Sequence, residues 1–279
     1  VAGFIAVLLL YGLDRRVLPA RRREPGAAAP RMDLADLVKF DRSYWYILAL
    51  HVLYATVFFP FRTTYAIEYL QHAKGLTLQA AGLANSWVFF AAIFATPLFG
   101  LLADRVGHRA MLLVIGTLLL HVTFLVLGGT DQPIWVSTAL MGVSFAMVPE
   151  IIWPATTLIV ESRRLGTGLG LITVVQALGI FGSNRIAGFV SDRVHAGAEN
   201  PAGYTAMLWY FGLLSLVALM SAMLLWQRES GPRGHGLEQA RRSPRRSSGA
   251  KPSELGTIVA TTSDEADDGF SKPSLRSGE

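Results

Sequence analysis

The chain has no cysteine, so disulfides and thiolate metal sites are excluded, and redox chemistry says nothing about its compartment. Its six histidines (51, 72, 108, 121, 195 and 235) contain no pair at i, i+3 or i+4, the spacing that would set two imidazoles on one helix face toward a metal. No phosphate loop is present either. "GTGLG" at 166–170 is glycine-rich, but no strand precedes it and it opens an apolar run, where small residues permit close helix packing. No cofactor is implied. Charge is scarce as well: Asp, Glu, Lys and Arg make up 16% of the residues against 52% hydrophobic. That balance, with the apolar residues in blocks, excludes an ordinary soluble globular domain.

What fills the chain instead is six apolar stretches, each near the roughly 20 residues that cross about 30 Å of hydrocarbon. They run from Tyr44 to Ala66, Ala80 to Ala103, Ala110 to Gly129, Ile134 to Val160, Gly166 to Val190 and Tyr204 to Trp226. A seventh, Val1 to Leu13, is too short to cross and runs straight into Asp14, Arg15 and Arg16. With its charge after the apolar run, it does not read as a signal peptide. It reads as the end of a helix that starts upstream, so the sequence predicts the C-terminal part of a longer protein.

The net charge of +5 invites a nucleic-acid reading, but the distribution of the cations argues for topology. If the helices alternate, one side receives eight Lys and Arg from 14–43, then Arg105 and Arg109, Arg163 and Arg164, and nine from Arg228 onward: 21 of the 25. The other four are Arg62, Lys74, Arg185 and Arg193. Such asymmetry marks the cytoplasmic side, so the partner is a lipid bilayer and no nucleic acid is expected. Trp45, Trp135, Trp209 and Trp226 fall near span ends, where indoles sit among headgroups. Residues 14–43 read as a cytoplasmic linker carrying a short amphipathic run, "MDLADLVKF". The polar, Ser-, Pro- and Arg-rich stretch 228–279 reads as a disordered cytoplasmic tail.

Gly100-Leu-Leu-Ala-Asp104-Arg105-Val106 recurs as Gly188-Phe-Val-Ser-Asp192-Arg193-Val194. An odd number of spans separates the copies, so three helices are repeated upside down, a signature of secondary transporters. The pattern Gly100-x-x-x-Asp104-Arg105-x-Gly107-His108-Arg109 resembles the loop motif of the major facilitator superfamily, which joins the second and third helix of each six-helix half. Residues 34–227 are similar to the C-terminal half of the branch of that family containing lysosomal dipeptide carriers and bacterial relatives. The likeness rests on "FPF" at 59–61, "QAAG" at 79–82, "PLFGLLADRVG" at 97–107, "WP" at 153–154 and "LGTGLG" at 165–170. At 174–179 the chain has "VVQALG" where a Gln-Asn pair is expected.

The resemblance implies an all-α polytopic membrane protein: helices seven to twelve of a twelve-helix fold, built as two inverted three-helix repeats. Residues 1–13 would then be the end of helix six, and a missing N-terminal six-helix half the principal partner. It also implies that Gly100, Asp104, Arg105, Gly107 and Arg109 form a conformational latch. In that expectation Asp104 accepts hydrogen bonds from a neighbouring helix terminus, while Arg105 and Arg109 stay at headgroup level.

Charged groups deep in a span cost roughly 2.5–3.5 kcal/mol each on insertion scales, so each needs a reason. Glu150 lies midway along its span between Pro149 and Pro154, where a bent helix would let a carboxyl serve as proton site or as partner of an ammonium group. Arg62 follows "FFPF", and His51, eleven residues earlier, returns almost to the same helical face. His51, Ala55, Phe58 and Arg62 thus form one stripe. By resemblance this helix and that of Glu150 line a central cavity, with Arg62 drawing in a substrate carboxylate. Asn85, Gln176 and Asn184 read as hydrogen bonds between helices.

The sequence therefore predicts a carrier, without covalent chemistry, for a dipeptide or similar small organic solute, moved by alternating access and, by resemblance, as a uniporter. An intramembrane enzyme would need paired catalytic groups at matched depth, and a non-transporting sensor or scaffold with the same fold is the other rival. The family implies a lysosomal membrane, with an accessory membrane glycoprotein as a further partner, or a bacterial cell membrane. The excess of Arg over Lys points to the bacterial one.

Overall fold

A computed structural model of the chain describes residues 39–129, 133–232 and 234–239. The apolar run at 1–13, most of the linker at 14–38 and the tail beyond 239 lie outside the described residues. Among the described residues there are six long helices and no strand. They are α1 (Arg42–His72), α2 (Leu78–Val106), α3 (Arg109–Gly129), α4 (Ile134–Ile159), α5 (Leu165–Arg193) and α6 (Tyr204–Glu229), the last entered through a 3₁₀ turn at Pro201–Gly203. All six are long and apolar enough to cross a membrane. Most run a few residues past their predicted ends, because charged residues such as Arg42, Glu68 and Arg193 remain helical.

Packing follows the inverted repeat. α2 packs on α4 as α5 packs on α1, α3 packs on α4 as α6 packs on α1, and α3 meets α6 while α1 meets α4. Exchanging the first three helices for the last three leaves this pattern unchanged. α1 is central: 67% of its most apolar window is buried, against 17% for α2 and for α5. Two large apolar surfaces are thus left open, including Trp87, Phe90 and Phe94 on α2 and Leu178 and Phe181 on α5.

Local chemistry explains how α1 can be so tightly enclosed. Pro60 lies inside the helix and has no N–H for the carbonyl of Thr56, one turn back. The Ser183 hydroxyl of α5 donates to that carbonyl instead, at 2.6 Å. The helix then opens into a π-helical stretch at Phe61–Tyr65. Beside it, Gly179 lets α5 approach, since a Cβ there would meet Thr56 Cγ2 at 2.6 Å. Rings fill the middle: Phe58 stacks on Phe145 at 4.4 Å, and Phe61 meets Phe124 and Phe211 edge-on while those two stack on each other.

The two ends of the bundle are built differently. At one end the start of α1, the α2–α3 turn, the α4–α5 turn and the end of α6 come together, through Tyr44 donating to Gly168 O and Arg228 pairing with Asp41. At the other, the His72 ring meets the Tyr204 hydroxyl at 2.9 Å and Tyr69 donates to Leu127 O. Arg105, Arg109, Arg163, Arg164 and Arg228 belong to the first end, as the charge count requires.

Candidate functional site

Polar side chains of α1 reach three neighbouring helices. His51 is buried and its Nε2 lies 2.8 Å from Gln176 Oε1 of α5. Its ring stands edge-on to Trp153 of α4, centroids 5.3 Å apart. Glu150 sits one turn before Trp153 on α4 and is exposed, as are Trp153 and Pro154. This face therefore presents a carboxylate, an indole and, behind them, an imidazole clamped to an amide. Both prolines lie within a continuous α4, so Glu150 is carried on helix and not on a break.

Arg62 goes elsewhere. Its guanidinium donates through Nη1 to Asn85 Oδ1 and through Nη2 to the Asn85 carbonyl of α2, and it lies over the Phe89 ring at 4.8 Å. Arg62 is 5% exposed and its Nε has no partner among the described residues. It borders a cavity of about 20 Å³ with Asn85, Thr123 and Ser137, room for about one water molecule. The expected stripe is therefore buried, not open. His51, Ala55, Phe58 and Arg62 are all 6% exposed or less, because α1 is packed by α4, α5 and α6 at once. His51 and Arg62 share a helical face, but the long Arg62 side chain is taken by α2 while His51 is taken by α4 and α5. Gln176, Asn85 and Asn184 act between helices as expected, Asn184 accepting from Thr64 at 3.0 Å.

The charged turn also differs from expectation. Arg109 is 6% exposed and folds back to Asp104, Nη2 to Oδ1 at 2.9 Å. Asp104 and Arg105 remain exposed, as do Val106 and His108. The inward turn of Arg109 accompanies a sharp reversal of the backbone, in which Gly107 and His108 both have positive φ, 75° and 47°. Glycine suits the first of these positions because it has no Cβ to strain. Gly100, one helix face away, has open space where a Cβ would be.

The described residues after 228 pack against the bundle. α6 runs to Glu229, and residues 234–239 fold back onto the α2–α3 turn. Leu237 is fully buried, and its carbonyl accepts the Arg109 N–H at 3.0 Å. Glu238 meets the His108 ring at 2.7 Å and accepts from Met111 N at 3.3 Å. Behind this strap, Glu229 is buried and takes hydrogen bonds from Ser43 Oγ and from His235 N. Arg228 binds both carboxylate oxygens of Asp41, at 2.8 and 2.9 Å. Burial pushes the Asp41 carboxyl up, but hydrogen bonds from Arg228 and from the Ser43 and Arg42 amides more than offset this and hold it well below the usual carboxylate range.

Among the described residues no group of three His, Asp or Glu is arranged to hold a metal. The family model of the Major Facilitator Superfamily matches residues 47–262. The chain is similar to the lysosomal dipeptide transporter MFSD1 of Danio rerio, 30% identical over 227 residues, which is 80% of this chain and 47% of that protein. It is similar to the human protein of the same name, 26% identical over 226 residues, 81% of this chain and 47% of that one. The alpha-ketoglutarate permease of Escherichia coli is 26% identical over 240 residues, 84% of this chain and 53% of the permease. The chain thus spans about half the length of these curated relatives.

Proposed function

The chain belongs to the major facilitator superfamily, and from that premise we propose that it supplies six helices of a carrier moving a small organic solute by alternating access. The wide apolar faces of α2 and α5 meet a second six-helix half, with the solute bound between the halves. Dipeptides are the preferred substrate class, by uniport, and the named relatives favour a lysosomal membrane or a bacterial cell membrane. An accessory membrane glycoprotein belongs to the lysosomal version of this reading.

The observation that carries the proposal is the juxtaposition of Glu150, Trp153, His51 and Gln176 from three helices. An exposed carboxylate one turn from an exposed indole suits an ammonium group, by ion pairing and by attraction to the ring face. His51, held by Gln176, supports Trp153 and supplies a further polar contact. Arg62 meets a substrate carboxylate only in a state where α2 has released it from Asn85. The charged turn, Gly100, Asp104, Arg105, Gly107 and Arg109, holds one state of the cycle. Arg109 does so by fixing Asp104, leaving Arg105 for the opposing half.

Reconstituted full-length transporter tests this directly. Saturable dipeptide flux is expected, with KM raised about tenfold or more by Glu150→Gln, as loss of one partner of a desolvated charge pair predicts, and less by Trp153→Phe. Flux that saturates with a dicarboxylate and ignores dipeptides would replace the substrate class. Absence of any saturable flux would remove the carrier reading.

A further inference from the structure

An α-helix opens with N–H groups that have no partner in the helix, and a side chain just before it normally supplies one. α3 lacks such a residue. It begins at Arg109, directly after Gly107 and His108, both with positive φ, and no Ser, Thr, Asn or Asp stands there to cap it. The acceptors come instead from 127 to 130 positions downstream. Glu238 O accepts from His108 N at 3.4 Å, Leu237 O from Arg109 N at 3.0 Å, and Glu238 Oε1 from Met111 N at 3.3 Å. The Glu238 carboxylate also lies where the helix dipole favours negative charge, and its second oxygen holds the His108 ring at 2.7 Å.

The same short peptide is tied down at its other end. His235 donates from its backbone to Glu229 Oε2 at 2.7 Å, and Glu229 receives the Ser43 hydroxyl at 2.6 Å. Leu237, fully buried, is the apolar peg between the two anchors. One strap therefore joins the end of α6 and the start of α1 to the start of α3, across the turn that carries the family motif.

We propose that residues 234–239 are a detachable N-terminal cap of α3, with Glu238 a positioning residue through which the tail controls the mobility of the α2–α3 turn. With the strap seated, α3 keeps its capped first turn and Arg109 stays against Asp104. With the strap lifted, three backbone donors and the His108 ring lose their acceptors together, and the turn is freed to follow α2. The proposal rests on the carrier reading for its consequence in transport, but not for the capping itself.

Hydrogen exchange in the full-length transporter, paired with flux, separates the two parts. Glu238→Ala is expected to raise amide exchange at Arg109–Met111 about tenfold, in line with loss of a helix cap, while the spans α1 and α6 keep their protection. Glu238→Gln, which retains an acceptor oxygen for Met111 N, restores much of that protection. Maximal flux per folded carrier is expected to change at least about twofold with KM unaltered, and normalising flux to the amount of folded carrier separates this from simple loss of protein. Unchanged exchange at 109–111, or equal acceleration across all six spans, overturns the cap. Raised exchange with unchanged flux overturns its role in transport. Absence of flux in the unmodified protein counts against the carrier reading and leaves the exchange result standing.

Discussion

A carboxylate held below its ordinary range is a stability contribution with a defined pH window. Asp41, paired with Arg228, binds its proton more weakly folded than unfolded. The sign follows: the contribution is complete above the ordinary value of 3.8 and is lost as pH falls through the lower folded value. Wild type should therefore melt above Asp41→Asn at pH 5 to 7, and the gap should narrow once pH drops below about 4. A gap independent of pH would mean that the pair does not act through ionisation. Because Asp41 is partly exposed, the expected gap is small. Single residues also mark how far sequence alone could reach. Glu150 was legible as a charge without company in an apolar span, and Gln176 and Asn85 as links between helices. The destination of Arg62 was not, because periodicity places it on a face of α1 but says nothing of which neighbour takes so long a side chain. Glu238 was hidden for a different reason: it lies in a stretch whose composition reads as solvated tail, and its partners are more than 120 positions away.

Within α1 the missing amide of Pro60 is answered by Ser183, and this pairing makes a prediction for the helix as a unit. Ser183→Ala leaves the Thr56 carbonyl without its donor in a buried place and should destabilise the fold by about 1 kcal/mol or more. Pro60→Ala restores an N–H one turn on, so Ser183→Ala should cost less in that background. A thermal double-mutant cycle measures the difference, and strict additivity would show that the two residues do not serve the same carbonyl. Gly179→Val should separate α1 from α5, read as lower thermal stability, since the new Cβ overlaps the Thr56 side chain. The six spans themselves were readable from apolar run length, and the inverted repeat from the two copies of Gly-x-x-x-Asp-Arg-Val. The π-helical stretch at Phe61–Tyr65 was not readable, because a proline predicts a disturbance without specifying how neighbouring helices resolve it.

For the molecule as a whole, the pseudo-symmetric packing and the cation count both set the start of α1, the α2–α3 turn and the end of α6 on one side of the bilayer. This chain holds no cysteine of its own, so thiols introduced into it report its topology. Single cysteines at Arg105 and Ser230 should react with an impermeant thiol reagent from one side only, and one at Gly197 from the other side only. Labelling of Arg105→Cys and Gly197→Cys from the same side would invalidate the topology. The ion pairs described above, Asp41 with Arg228 and Asp104 with Arg109, gather at that first end, whereas Tyr69 donating to Leu127 O ties the second through uncharged groups. Mobile electrolyte weakens the former and hardly touches the latter. Raising ionic strength should thus accelerate only the half-cycle that parts the basic rim, and a vesicle carrying different electrolyte inside and out would transport with a preferred direction of turnover that its solute gradient alone does not dictate.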